Sequence, residues 1–235
     1  MTGTGNLPTK FGLLLYPGFE VLDVFGPLEA LNVISRKDFL EISPVFIENV
    51  SLSIIAEKLE PVSPGKPGMV GSSLAQKIIP EYTLENAPNL DVLLVPGGMG
   101  SSDVPDVVIQ WLQNIFPNLQ YLITVCTGAD LAARAGLLNG LRATTNKMAW
   151  KSITSKQTSH KTYWVADARW VKGSTKVWTT SGVSAGTDGF IAWIEEVYGA
   201  DLATNACTWM EYIRDSKPEC DPFSKGLHDV PPTET

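Results

Sequence analysis

The sequence predicts an α/β fold in which a mostly parallel sheet is sandwiched between helices. Three observations support this prediction. Short apolar runs alternate with longer helical patterns, several of these runs are apolar at nearly every position, and Gly-containing turns follow them. A strand that is apolar throughout is typical of a sheet covered on both faces. Alternating strands and helices indicate βαβ units, and therefore parallel pairing.

The first third of the chain contains two predicted strands. "FGLLLY" (11–16) reads as a buried strand, and the sequence after it turns and becomes helical, with Pro27 suited to a first helical turn. "SPVFIENV" (43–50) is the second strand candidate. The segment 61–75 is rich in Pro, Gly and Ser, which predicts a loop.

The middle third repeats the strand and helix alternation twice. "DVLLV" (91–95) is a buried strand that ends in a tight Gly-Gly turn, and "PDVVIQWLQNIF" (105–116) is an amphipathic helix. "YLITV" (121–125) is the next strand, and the segment 127–138 reads as the helix that follows it. Two more βα units therefore extend the sheet.

The last part of the chain departs from this alternation. Residues 163–180 show the pattern of antiparallel strands joined by a Gly-Ser turn, and residues 184–213 read as mostly helix. We therefore expect a single domain over 11–215, preceded by a flexible segment at 1–10. The Pro-rich stretch 216–235 is expected to be an irregular tail.

Composition restricts the classes of function. The chain has 235 residues, 44% of them hydrophobic, a net charge of −7, and no dense cluster of Lys or Arg. We therefore expect neither a nucleic acid nor a membrane as partner. Three widely spaced cysteines, Cys126, Cys207 and Cys220, do not form a disulfide framework, and His160 and His228 lie in polar surroundings typical of surface histidines. We expect no metal, no cofactor and a reducing cytoplasmic location.

Three strand ends carry the residues that could perform chemistry. They are residues 17–23 after the first strand, 97–98 after the third, and 126–128 after the fourth. Ligands of open α/β sheets bind beyond the carboxyl ends of the strands. Because parallel strands end at the same edge, we expect these three segments to converge.

Cys126 is the strongest candidate for a nucleophile. It stands at the corner between a buried strand and a helix, where a sharp turn exposes the side chain and strains the backbone. The helix N-terminus there predicts a lowered pKa and a thiolate. The alternative is a buried cysteine that packs as a small hydrophobe.

Asp23 is the candidate acid. Its apolar neighbours in "EVLDVFGP" predict a carboxyl group that is paired or protonated, and able to donate a proton near Cys126. The alternative is an ordinary helix-capping acid. Glu20, three residues earlier, is the competing carboxylate and ranks second.

Backbone amides near Cys126 are the expected binding groups. Gly97, Gly98 and Gly128 allow close approach of the backbone, and with the N–H of Thr127 they would bind a substrate or an oxyanion. Plain tight turns are the alternative. The Thr127 hydroxyl could contact the reacting group or simply bond to local backbone.

A further strand end, "TTSGVSAGTDG" (179–189), precedes the last long helical segment. Ser184 or Asp188 is expected to cap that helix. A wall of the site is the alternative for this segment.

These motifs together resemble those of the ThiJ/PfpI superfamily. The similarity runs from "FGLLLYPGFEVLDVFGPLEAL" through "DVLLVPGGMG" and "VCTGADLAARAGLLNGLRATTN" to "MEYIRD". It implies a flavodoxin-like, class I glutamine amidotransferase-like fold with Cys126 on a nucleophile elbow, and a homodimer with active sites near its interface. Within the superfamily, "LDVFGP" and "VCTGA" are most similar to the isonitrile (isocyanide) hydratase branch, in which Asp23 matches the acid, Thr127 the residue after the cysteine, and Gly98 one of the glycine pair.

One departure from that branch concerns residues 146–147. The branch commonly has His and Trp where this chain has Asn146 and Lys147. The substitution weakens a Cys–His mechanism and affects a Cys–Asp mechanism less. It also indicates a different substrate pocket.

Three functions follow from these expectations. The first is hydration of an isonitrile to an N-substituted formamide, through a thioimidate on Cys126 with Asp23 as general acid. The second is the same Cys and acid pair acting on another small electrophile, for instance in secondary metabolism. The third is a redox sensor or protective protein in which Cys126 is oxidised. A transcriptional regulator is less expected, because no helix-turn-helix extension follows the domain.

Overall fold

The computed structural model describes residues 7–36, 46–65 and 76–233 as a central sheet flanked by helices. The strands are β1 (Lys10–Leu14), β2 (Ser51–Ala56), β3 (Tyr82–Thr83), β4 (Val92–Val95), β5 (Tyr121–Thr124), β6 (Arg142–Ala143), β7 (Tyr163–Trp164), β8 (Trp170–Lys172) and β9 (Val177–Thr180). The helices are α1 (Val21–Ser35), α2 (Asp106–Ile115), α3 (Gly128–Arg134), α4 (Trp150–Thr154), α5 (Ser184–Tyr198) and α6 (Ala200–Trp209).

The main sheet has seven strands in the order β3-β2-β1-β4-β5-β9-β8. Neighbouring strands are parallel except β8 and β9, which form the antiparallel hairpin expected near 163–180. The predicted fold class, a mostly parallel sheet between helices, is confirmed. Since β1, β4, β5 and β9 are adjacent and parallel, their carboxyl ends lie at one edge.

The apolar strands pack between two layers of helices. Every residue of β4 is buried, as is most of β5. On one face, Trp193 of α5 is fully buried and makes edge contacts with Phe11 and Tyr121 at centroid distances of 6.0 and 5.3 Å. Burying each such aromatic side chain stabilises the fold by about 1.5–3 kcal/mol, so these contacts hold α5 against the strands.

Two expectations for the first third of the chain are wrong. Helix α1 begins at Val21, so Pro27 lies inside the helix and not in its first turn. Proline lacks an N–H, so the carbonyl of Asp23 loses its usual helical donor. The second strand is Ser51–Ala56, and the described part of 43–50 is a turn that precedes it. Within the predicted loop 61–75, Val62 pairs with Ile78, and residues 66–75 lie outside the described ranges.

Three further boundaries differ from expectation. Helix α3 ends at Arg134, before the predicted 138, because Gly136 takes a positive φ of 71° and terminates it. The segment 163–164 does not join the hairpin and pairs instead with β6 in a separate parallel sheet. Gly199, with a φ of 104°, divides the last helical segment into α5 and α6.

The residues after α6 are largely irregular and lie against the domain. Val230 pairs with Trp164 across an isolated bridge. Asp221 is 3% exposed and its carboxylate lies 3.9 Å from the buried ammonium group of Lys147. Burial lowers the pKa of Lys147 to about 8, although the charge of Asp221 opposes that shift. Among the described residues, no helix is long and apolar enough to cross a membrane.

Candidate functional site

Four strand ends meet at the carboxyl edge of the sheet. The backbone N–H of Glu20 donates to the carbonyl of Gly97 at 2.8 Å, which joins the loop after β1 to the loop after β4. The N–H of Gly98 donates to the Thr127 hydroxyl at 2.9 Å, which joins the loop after β5. The expected convergence of these three segments is confirmed. The N–H of Cys126 donates to the carbonyl of Ser181 at 3.0 Å, so the loop after β9 forms a fourth wall.

Cys126 occupies a strained corner between β5 and α3. Its φ is +57°, a left-handed conformation that non-glycine residues rarely adopt. The turn is tight because Gly128 packs on the carbonyl of Val95, which a Cβ at that position would approach to 2.3 Å. The cysteine is only 5% exposed. The corner therefore presents a sulfur atom that only a narrow group can reach.

Asp23 places a carboxyl group against this sulfur. It lies in the first turn of α1 and is fully buried. Its Oδ2 accepts a hydrogen bond of 2.8 Å from the N–H of Gly97. The Cys126 side chain is near enough to Asp23 for its hydrogen-bonding effect to lower the pKa of that carboxyl group. Among the described residues, the buried Oδ1 atom has no hydrogen-bond partner. The thiol of Cys126 is thus the hydrogen-bond donor available to that oxygen.

Burial determines the protonation of this pair. It raises the pKa of Asp23 from 3.8 to about 7, against the lowering effect of the Gly97 hydrogen bond. It also raises the pKa of Cys126 to about 12, and the negative charge of Asp23 adds to the shift. The expectation of a lowered thiol pKa is therefore wrong. Desolvation and a facing carboxylate outweigh the N-terminus of α3, a helix of only seven residues.

Three donors nevertheless surround the sulfur and favour its anion. The pKa of Cys126 is lowered, in part, by hydrogen bonds from the N–H of Thr127, the side chain of Asn146 and the N–H of Val183. Val183 has a φ of 36°, a strained value for a β-branched residue. Strain of this kind costs roughly 1–3 kcal/mol and is concentrated at functional sites. The resting pair is a thiol facing a carboxyl group that loses its proton near pH 7, surrounded by donors that stabilise a thiolate when the thiol proton moves.

The glycine N–H groups do not face a substrate. Those of Gly97 and Gly98 bind Asp23 and Thr127, and that of Gly128 donates to the carbonyl of Val125 at 2.8 Å. The predicted oxyanion-binding role is therefore wrong for these groups. The Thr127 hydroxyl is occupied as well, since it also donates to the Gly98 carbonyl at 3.1 Å. The glycines instead permit close contact between the loops.

The remaining candidate residues from the sequence, Glu20, Ser184 and Asp188, differ in their positions and contacts. Glu20 is partly buried, precedes α1, and adds a negative charge that contributes to the raised pKa of Asp23. Ser184 is the exposed first residue of α5 and makes no capping hydrogen bond. Asp188 does not cap the helix. It is buried within α5, where it pairs with Arg169 and accepts a bond of 2.9 Å from Tyr212.

Sequence reasoning missed three residues of this site. Val183 contributes a backbone N–H, and a β-branched residue gives no sequence signal of a positive φ. Thr145 donates its hydroxyl to the carbonyl of Cys126 at 2.9 Å, and its place two residues after the end of β6 was the only signal. Tyr16, at the end of the first apolar run, is buried with its hydroxyl on the Pro96 carbonyl at 2.7 Å, and the charges of Asp23 and Cys126 help to raise its pKa.

The surroundings offer space but no ligands for a metal. A cavity of about 480 Å³ opens beside the site, lined by residues that include Tyr16, Pro17 and Gly100, but Cys126 is not among them. In the part of the chain that the structure describes, no cluster of three or more His, Cys, Asp or Glu side chains could hold a metal ion. Neither histidine contributes to the pKa of Cys126.

Comparison with known proteins places this geometry in a family. The sequence model of the DJ-1/PfpI family matches residues 9–197. Isonitrile hydratase from Pseudomonas putida is 27% identical over 228 residues, which cover 95% of this chain and 85% of that protein. The HTH-type transcriptional regulator CdhR from Pseudomonas aeruginosa is 27% identical over 194 residues, 82% of this chain and 52% of the regulator.

Solved structures agree with the fold. A ThiJ/PfpI family protein from Pseudomonas syringae superposes with a TM-score of 0.66 at 24% identity, over 92% of this chain and 83% of that one. Similarity at this level of identity shows a shared fold. The chemistry follows from the residues of the site.

Proposed function

The chain belongs to the DJ-1/PfpI family, and from that premise we propose that it hydrates an isonitrile to an N-substituted formamide through a covalent intermediate on Cys126. The observation that carries the proposal is the fully buried carboxyl group of Asp23 beside the Cys126 thiol, with an Oδ1 atom that has no hydrogen-bond partner among the described residues and each group shifting the pKa of the other. A nucleophile and a proton carrier in direct contact are what this addition needs. The similarity to isonitrile hydratase supports the choice of substrate.

The first half of the mechanism moves one proton through Asp23. Its carboxylate accepts the thiol proton as the sulfur attacks the terminal carbon of R–N≡C. A C–S bond forms, and the electron pair left on that carbon takes the proton back from Asp23. The product is a thioimidate, R–N=CH–S–Cys126, beside a re-ionised carboxylate. Asp23 is thus first the base and then the acid.

The second half returns the enzyme to its resting state. The Asp23 carboxylate takes a proton from water as the oxygen adds to the thioimidate carbon, and nitrogen is protonated. The C–S bond then breaks, which gives R–NH–CHO and a thiolate that recovers its proton. The donors around the sulfur stabilise this leaving thiolate. One water is consumed and no redox change occurs.

The access to Cys126 supports a slender, neutral substrate. A cysteine that is only 5% exposed admits a linear group more readily than a branched carbonyl. The carboxylates of Asp23 and Glu20 and the net charge of −7 disfavour an anionic substrate. An isonitrile is linear at its reacting carbon and carries no net charge.

The proposal is tested by incubating the protein with a simple alkyl isonitrile and following formamide by NMR. We expect turnover in the native chain and in a Cys207→Ser control, whose thiol lies on α6, and none above background for Cys126→Ala. Removing a covalent nucleophile lowers rates by about 10³-fold or more. Equal rates for the native chain and Cys126→Ala would eliminate the activity.

The pH dependence of kcat/KM follows from the raised pKa of Asp23. Only the ionised carboxylate accepts the thiol proton, so the rate is expected to rise through pH 7 by about tenfold per pH unit and then to level off. No fall is expected below about pH 10, because the Cys126 pKa of about 12 lies higher. A profile measured from pH 5 to 10 checks this, and a midpoint near pH 4 would contradict it.

The same pair could act on another small electrophile, and residues 146–147 favour keeping this second candidate. A panel of nitriles, aldehydes and isonitriles, read out by mass shift on Cys126, distinguishes the two. The raised pKa of Cys126 weighs against the redox sensor, since peroxide oxidises the thiolate and not the thiol.

A further inference from the structure

The segment that follows β6 is hydrogen-bonded to the backbone of Cys126. The Thr145 hydroxyl donates to the carbonyl of Cys126 at 2.9 Å, so the next residue, Asn146, reaches the same corner. The Oδ1 of Asn146 accepts a hydrogen bond of 3.0 Å from the N–H of Ala149. That bond holds the amide plane through its oxygen, which leaves the Nδ2 group as the donor whose hydrogen-bonding effect lowers the pKa of Cys126.

The opposite wall leaves room for this amide group. A Cβ on Gly182 would lie 2.7 Å from the Nδ2 of Asn146, so only a glycine permits the approach. Gly182 belongs to the loop after β9, whose neighbour Val183 also donates to the sulfur. The partly buried Asn146 side chain therefore packs against that loop.

The residue after Asn146 is anchored in the protein interior. The ammonium group of Lys147 donates to the Thr144 hydroxyl at 2.6 Å and to the Ala168 carbonyl at 2.8 Å. With Thr145 bound on one side and Lys147 on the other, the backbone of Asn146 has little freedom to move. The position of its amide is thus set by tertiary contacts.

We propose that Asn146 is a third catalytic residue, whose side-chain N–H binds the reacting sulfur and stabilises its anion. The inference deepens the proposed function, since the anion arises when the thiol attacks and when it leaves. An amide does not titrate, whereas a histidine does. After burial, the negative charge of Asp23 is what raises the pKa of Cys126, and Asn146 is the side chain whose hydrogen bonding opposes that shift.

The experiment measures the alkylation rate of the Cys126 sulfur and does not depend on the substrate. The native chain, Asn146→Ala and Asn146→Asp are treated with iodoacetamide at pH 8, and carboxamidomethylation of Cys126 is followed by peptide mass spectrometry. Cys207 serves as an internal reference in the same sample. Asn146→Asp is the matched variant, because its carboxylate retains the bond to Ala149 but cannot donate to the sulfur.

The order of the three rates decides the outcome. We expect Asn146→Ala to react about tenfold more slowly than the native chain, and Asn146→Asp more slowly still, because it adds a negative charge. A purely structural role predicts the reverse order, with Asn146→Asp close to native and Asn146→Ala impaired. That order, or equal rates for the three chains, would overturn the proposal.

These results are separable from those on the proposed function. If isonitriles are not hydrated but the alkylation order holds, Asn146 still acts on the sulfur and the substrate assignment alone fails. If hydration is observed and Asn146→Asp alkylates at the native rate, the role of Asn146 fails and the Cys126 and Asp23 mechanism stands.

Discussion

Replacement of Asp23 by Asn is expected to give a protein that is more stable and nearly inactive. The amide retains an oxygen for the N–H of Gly97 and places no charge in the interior, but it cannot carry the proton. Loss of the proton carrier should lower kcat/KM by about 10²–10⁴-fold. Active sites commonly contain residues that lower the stability of the fold but are needed for turnover.

The gain in stability depends on pH, and its sign follows from the raised pKa of Asp23. In the unfolded chain the carboxyl loses its proton near pH 3.8, but in the folded protein it keeps it until about pH 7. Between these values the unfolded state binds fewer protons, so the free energy of unfolding falls as the pH rises. Above pH 7 the cost reaches about 4 kcal/mol, from 1.36 kcal/mol for each pH unit of the shift.

Urea unfolding at pH 5 and pH 8 measures this effect. Asn at position 23 should be about 2–4 kcal/mol more stable than the native chain at pH 8, and the difference should shrink at pH 5. Asp130→Asn is the contrasting control. The buried carboxylate of Asp130 forms an ion pair with Lys156 at 2.7 Å, so replacing Asp130 by Asn should lower the free energy of unfolding. A destabilised Asp23→Asn at pH 8 would show that the carboxylate stabilises the fold.

Replacement of Gly98 by Ala is expected to displace the loop that carries Glu20 and leads to Asp23. A Cβ at this position would lie 2.2 Å from the carbonyl oxygen of Gly18 and 2.6 Å from the backbone nitrogen of Glu20. Both are backbone atoms, so neither can rotate away. With the added strain of a φ of 136°, we expect a loss of about 3–5 kcal/mol and a large fall in turnover.

Gly140→Ala separates the clash from the strain. Gly140 also has a positive φ, of 74°, but a Cβ there would meet nothing within 4 Å. The cost should then be only the backbone term of about 1–2 kcal/mol, with activity retained. Both variants are compared by thermal unfolding and by formamide production. Equal losses for the two would mean that the close packing of the loops after β1 and β4 is not needed.

The arrangement of the sheet was predictable because burial patterns are local properties of the sequence. Apolar runs such as "DVLLV" and "YLITV" indicate strands covered on both faces, and parallel strands bring their carboxyl ends to one edge. The same reasoning predicts that Asp23, Gly97 and Cys126 lie close together. Boundaries were less predictable, because Pro27 is tolerated inside α1 and Gly136 ends α3 early.

The chemical groups of the site can be predicted from the amino-acid order: a thiol at a strand-to-helix corner, an acid among apolar neighbours, and the sheet edge at which they meet. The protonation of these groups depends on the folded structure, because a pKa depends on burial and on charges brought close by folding. A helix N-terminus suggested a thiolate, whereas the closed interior and the facing carboxylate keep Cys126 protonated. The strained backbone conformation of Val183 and the position of the Asn146 amide likewise arise from the packing of segments far apart in the chain.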